Sequence, residues 1–342
     1  MTNIPPPSTQ SIETISPKEA FVARVDNITG HILHSKQYEL LRHEGYSHTE
    51  AFTSLAHHSA ANKESRLAPS DRAVLEATSQ LGGFVAAVND LRELRIKRDY
   101  SGLDDEQLNQ LHALKKAHII PFNHSLKAIV STSPNLDLYT VAESLGNTYE
   151  KIFFREHAQQ RLSGRTTGTQ AKSFLDRSRQ EILDSLDGMR HEGAAEAMLT
   201  AQGIDCISDV NVAQDIIGVD MLVSFDNNNP VKDDQTKWSK IAAELGLHGW
   251  LELDIKSSEK QATDKRRRHP LKLAVATGLT YEDFTGTKNG GKNLLGISYD
   301  TAVTKGATFV ENIIEVAHSA HQSREKIRRS IAARSTQDSE KQ

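Results

Sequence analysis

The chain has 342 residues, a formal net charge of −4 and 37% hydrophobic residues. That is enough apolar material for two or three packed domains, and the charge excludes a chain that is basic throughout, though not a local basic patch. With one cysteine, Cys206, intramolecular disulfides and cysteine-ligated zinc sites are excluded, and no apolar run is long enough to span a membrane.

Residues 1–15 are rich in Pro, Ser and Thr and predict a disordered lead-in. They carry no apolar core of the signal-peptide kind, so a cytoplasmic protein is expected, with secretion by a route that needs no N-terminal signal as the other option. Ser16-Pro17-Lys18-Glu19 and Ser47-His48-Thr49-Glu50 read as capping boxes that open helices. Ser70-Asp71 opens a long helical run whose stripe is Leu75, Leu81, Phe84, Val85, Val88, Leu91 and Leu94. Further helices are predicted near 104–118, 122–132 and 137–162, with Pro121 and Pro134 as breaks. Residues 16–162 therefore predict an all-α domain, and the Gly- and Thr-rich stretch 163–169 a linker.

A helical pattern then runs from Gln170 to Gln202 and stops at Gly203. Beyond it the texture changes. Ile204–Val210 and Gly218–Phe225 are short and rich in β-formers, Trp238–Leu245 reads as a short helix, and Trp250–Lys256 is the clearest strand. Leu271–Thr277 fits a helix and a strand equally. Leu294–Tyr299 is a candidate strand, and Phe309–Arg329 an amphipathic helix before a disordered tail at 331–342.

In the strand Leu251-Glu252-Leu253-Asp254-Ile255-Lys256, period-two alternation puts the three apolar residues on one face and the three charged ones on the other. Alone, this pattern also describes a solvated strand face. Asp220, however, lies in Gly218-Val219-Asp220-Met221-Leu222-Val223, where a carboxylate in an apolar run is costly unless it is exposed, paired or bound to a metal. Upstream, the helix bears Glu192, Ala195 and Leu199, then ends at Gly203.

The order of helix Glu, strand Asp and strand Asp-x-Lys resembles the PD-(D/E)xK nuclease superfamily, most closely its Holliday-junction-resolvase-like and related bacterial endonuclease-like branch. Val219 stands where the motif's name has proline, and the spacing from Asp220 to Asp254 is long. The resemblance spans Glu192 to Ser258. It implies a restriction-endonuclease-like α/β domain with a mixed central sheet over 170–330, whose closing helix and strand the sequence leaves unassigned. It implies Asp220 and Asp254 as ligands of Mg²⁺ or Mn²⁺, helped by the Ile255 carbonyl, and Lys256 as the catalytic lysine. Glu192 would orient Lys256 or support the metal, with Glu196 one turn on as the fallback helix acid. Carboxylates suit a hard divalent cation, and the lysine can orient a water or stabilise developing charge.

The basic run Lys265-Arg266-Arg267-Arg268 is a candidate phosphate contact, or else a solvated loop. The histidine pairs His31/His34 and His318/His321 lack a metalloprotease Glu motif, Lys288–Asn293 lacks P-loop order, and Cys206 reads as a core thiol.

The overall expectation is an α+β chain: a helical domain, then the nuclease-like domain. The expected function is metal-dependent hydrolysis of nucleic-acid phosphodiesters, with DNA as substrate and no membrane. The helical domain is a candidate surface for a protein partner. The rival expectations are a non-enzymatic interaction or nucleic-acid-binding protein with an inert nuclease-like domain, and a delivered nuclease toxin.

Overall fold

A computed structural model describes residues 15–62, 67–97, 104–133, 136–162, 168–208, 219–226, 237–285 and 297–339. Residues 1–14 of the expected lead-in, 163–167 of the expected linker, Lys288–Asn293 and residues 294–296 of the candidate strand lie outside the described residues.

The helical half comprises α1 (Pro17–Leu33), α2 (Lys36–His43), α3 (His48–Ala61), α4 (Pro69–Lys97), α5 (Asp105–Leu114), α6 (Ile120–Thr132) and α7 (Leu138–Leu162). Both expected capping boxes form: Ser16 and Ser47 accept from the amides of Glu19 and Glu50, whose carboxylates accept in return from the cap amides. Pro121 does not break the chain as expected. A π-helical turn at Lys115–Ile119 joins α5 to α6, and the Ile120 amide bonds the Lys115 carbonyl five residues back. The wider turn makes room for the proline ring, which in a regular helix presses on the carbonyl four residues earlier. The core of this half gathers Phe84, Phe122, Leu126 and Leu145, with a smaller cluster around Phe52.

Helix α8 (Gly168–Ala201) belongs to both halves. Ile182 and Leu186 are buried in the helical core, whereas Ala194, Ala195, Met198 and Leu199 are buried in the core beneath the sheet. The division between cores thus falls inside α8, not at 163–169. The helix ends where Gly203 adopts φ +71°, and the Ile204 amide returns to the Leu199 carbonyl.

The second half is a four-stranded mixed sheet with helices. Its elements are β1 (Asp205–Ile207), β2 (Met221–Ser224), α9 (Lys237–Glu244), β3 (Trp250–Lys256), α10 (Glu259–Arg268), β4 (Leu273–Ala276), α11 (Tyr281–Thr285) and α12 (Tyr299–Ser339). Strands β1, β2 and β3 pair antiparallel, and β4 joins β3 in parallel. The chain is therefore α+β and mostly helical, as expected. Met221, Val223, Leu253, Ile255, Leu273 and Val275 share the apolar face, on which α8 and α12 pack. Gly306 permits the close approach of those two helices, since a Cβ there would lie 2.9 Å from the Met198 carbonyl oxygen.

Several expected boundaries shift. Leu271–Thr277 resolves into a strand, and the basic run forms the last turns of α10 rather than a loop, because Ser258 caps a helix ahead of it. Of the candidate strand Leu294–Tyr299, residues 297 and 298 are not strand and Tyr299 opens α12, which runs into the expected disordered tail as far as Ser339. Ala332, Ala333 and Arg334 are good helix formers, which favours that continuation. Among the described residues no helix is long and apolar enough to cross a membrane.

Candidate active site

The site lies on the face of the sheet opposite α8 and α12, where β2 and β3 meet. Alternation puts Trp250, Glu252, Asp254 and Lys256 of β3 on this face, and the parallel register sets the small residues Ala274 and Ala276 beside Asp254 and Lys256. Asp220 immediately precedes β2 and prolongs its pairing. Its amide donates to the Leu253 carbonyl at 2.8 Å, and its Oδ2 accepts from the Ile255 amide at 2.7 Å. Two bonds thus fix the Asp220 carboxylate against β3.

Asp220, Asp254 and Lys256, singled out from the sequence, are adjacent. The Lys256 ammonium donates to Asp254 Oδ1 and, at 3.1 Å, to the Ile255 carbonyl, and it stands 3.8 Å from Asp220 Oδ2. Asp254 is only 3% exposed, and its Oδ2 is buried without a hydrogen-bond partner. Lys265 of α10 approaches that oxygen to 3.6 Å. This buried carboxylate is held by two cations, Lys256 and Lys265. Burial lowers the Lys256 pKa from the usual lysine value; the carboxylates of Asp220 and Glu192 oppose this, and the cations of Lys265 and Lys115 add to it.

Of the two helix acids, Glu192 is the one within electrostatic reach of Lys256. Glu196 turns away and accepts from the Ser208 hydroxyl at 2.7 Å. The neighbouring His191 fixes this orientation of α8. Its Nδ1 lies 2.6 Å from the Thr277 hydroxyl, its ring meets Phe284 edge-on, and the Thr277 amide donates to the Lys256 carbonyl at 3.2 Å.

The basic run divides by position. Lys265 turns into the site. Arg266 pairs with Glu259 and donates to the Ala274 carbonyl of β4 at 2.6 Å. Arg267 pairs with Asp264 and Arg268 donates to the Asp264 carbonyl, both at the exposed surface. Four residues that sequence reasoning missed also bear on the site: His191, Thr277, Lys272 and Lys115. The π-helical turn brings Lys115 from the helical half within electrostatic reach of Lys256 and Lys272. His191 directly precedes Glu192 in the sequence, but nothing local marks its partner, 86 residues away.

Among the described residues no three His, Cys, Asp or Glu side chains gather into a metal site. The donor set nevertheless suits a hard cation that keeps several of its waters. It offers two carboxylates and the Ile255 carbonyl, and Asp254 Oδ2, which has no hydrogen-bond partner, is among them. Binding would require the Lys256 ammonium to leave Asp254 Oδ1.

Compared with known proteins, the chain matches no family model, no curated protein and no solved structure.

Proposed function

We propose that the chain is a metal-dependent nuclease that hydrolyses phosphodiester bonds in DNA, built on a restriction-endonuclease-like domain. The observation that carries this reading is the convergence of Asp220, Asp254 and Lys256 on one sheet face, with the lysine in contact with Asp254 and 3.8 Å from Asp220. The order of elements supports it too: α8, three antiparallel strands, α10 and a parallel strand. In this reading α10 and β4 are the closing helix and strand that the sequence left unassigned.

A divalent cation on Asp220, Asp254 and the Ile255 carbonyl would supply Lewis-acid polarisation of the phosphate and acidify an attacking water. The protein's part is positioning. Asp220 is held by the Ile255 amide, so its carboxylate needs no reorganisation. The Lys256 ammonium, released from Asp254, can donate to a phosphate oxygen or hold the water in line, which stabilises developing negative charge. Glu192 keeps that ammonium turned toward the site.

Purified protein incubated with plasmid, linear and branched DNA and with RNA, in Mg²⁺, Mn²⁺ or EDTA, tests the reading. Metal-dependent cleavage is expected, with Asp254→Asn and Lys256→Met each lowering kcat by roughly a hundredfold or more. Undiminished cleavage by Asp254→Asn would overturn the assignment. The second reading, an inert nucleic-acid-binding domain, draws on the pairing of Asp254 with both Lys256 and Lys265, which neutralises the acid without a metal. It predicts binding that is insensitive to EDTA and no cleavage.

A further inference from the structure

A cavity of about 210 Å³ opens beside Asp254 and follows β3 to Trp250. Leu271, Lys272 and Arg324 form its other side, and Glu252 lies between Trp250 and Asp254. Trp250 is 47% exposed and Leu271 41%. Two large apolar side chains therefore remain on the wall of a cavity that ends at a buried carboxylate. Arg324 reaches over from α12, and its bond to the Leu271 carbonyl at 3.2 Å fixes its guanidinium at the rim.

The chemistry of this wall selects an occupant. An indole face and a leucine favour a flat, weakly hydrated ring. The Glu252 carboxylate repels phosphate but accepts hydrogen bonds from the N–H groups on a base edge. Lys272 and Arg324 suit the phosphates that such a base carries with it. Trp250 and Asp254 are four residue steps apart along β3, roughly 13 Å, so a base at one end leaves a nearby phosphate of the same strand at the other. In a duplex both ring faces are stacked and neither is offered to a side chain.

Resting on the nuclease reading, we propose that this cavity takes one unpaired base of a single-stranded or frayed nucleic acid, stacked on Trp250, while a neighbouring phosphate lies at Asp254 and Lys256. Trp250 is then a specificity-determining residue, and single strands are bound and cut in preference to blunt duplex.

The chain has two tryptophans, and Trp238 is buried, so Trp250 is the one that ligand can reach. Binding of short oligothymidylate, oligouridylate and blunt duplex to the full chain is followed in EDTA by tryptophan fluorescence and by anisotropy of labelled strands. Cleavage is followed in Mg²⁺ or Mn²⁺. Both single strands should quench the fluorescence saturably, the duplex should not, and quenching should vanish in Trp250→Phe. That variant should keep most of its affinity by anisotropy, whereas Trp250→Ala should bind roughly 5- to 150-fold more weakly. An unchanged thermal melt of Trp250→Ala would show that the fold is intact. Cleavage without quenching, undiminished in Trp250→Ala, overturns the base site and leaves the nuclease reading standing. Quenching without cleavage retains the base site and removes the nuclease. Equal quenching by the duplex overturns the selection for unpaired bases.

Discussion

His191 is a buried histidine held between Thr277 and Phe284. Burial keeps its pKa below the ordinary value of 6.5; Asp187 opposes the shift and Arg190 adds to it. The unfolded chain therefore takes up this proton at a higher pH than the folded one. The stability that His191 contributes is full above 6.5 and is lost as pH falls from there toward the lower folded value. On acidification to about pH 5, the melting temperature of the wild type should drop further than that of His191→Asn, as thermal denaturation at both pH values would show. An equal drop would remove the linkage. Cys206 behaves in the opposite sense: burial first, then the carboxylates of Glu196 and Asp205, push its thiol up to about 11. Little thiolate exists at neutral pH, so alkylation of the native protein should be much slower than that of the denatured chain. The triad of Asp220, Asp254 and Lys256 was legible in the sequence because strand alternation aligns Asp254 with Lys256, and because an acid in an apolar run is conspicuous. The sequence marks Lys265 only as a candidate phosphate contact; its pairing with Asp254 was not legible, because only the folding back of α10 brings it to that residue, 11 positions earlier in the chain.

At the scale of elements, legibility followed amphipathicity. The clearest strand, β3, has one buried and one charged side, so its period is written in the residue types. Strand β4 is buried at all four positions, and an unbroken apolar run of that length carries no period to read. Helix α10 has a single buried residue, Ala262, and so no stripe, and its charges passed for a loop. The join between α8 and α12 was hidden for another reason. A glycine in a helix interior looks like a defect until its neighbour is known, and here the neighbour is the α8 backbone at Met198. Gly306→Ala would gain helix propensity but must push the helices apart. The overpacking should outweigh the gain, for a net loss of about 1–3 kcal/mol in chemical denaturation. A stabilised variant would mean that the two helices yield freely.

For the whole molecule, α8 matters most. One rod carries Leu186 in the helical core and, six residues on, Glu192 near the site, a rise of roughly 9 Å. A fragment starting at Gly168 would expose Ile182 and Leu186, both fully buried in the intact chain. A fragment starting at Gly188 would not. The shorter fragment should therefore elute as a monomer in size-exclusion chromatography while the longer one associates. If both are monomeric and equally stable, the helical core does not depend on this stretch. Because Lys115 also reaches the site from the helical half, neither fragment should match the intact chain in cleavage.

Arg266 has one more consequence. Among the described residues strand β4 closes the sheet on its side, and an end strand with open carbonyls invites a second molecule to dock its own strand there. The Arg266 guanidinium already occupies the Ala274 carbonyl, and its pairing with Glu259 holds it in place. An incoming strand would have to displace a charged side chain before making its first bond. Among the four basic residues, Arg266 is the one bonded to the carbonyl edge of β4. Arg266→Ser should scatter more light on prolonged incubation at high concentration, whereas Arg267→Ser and Arg268→Ser should stay clear.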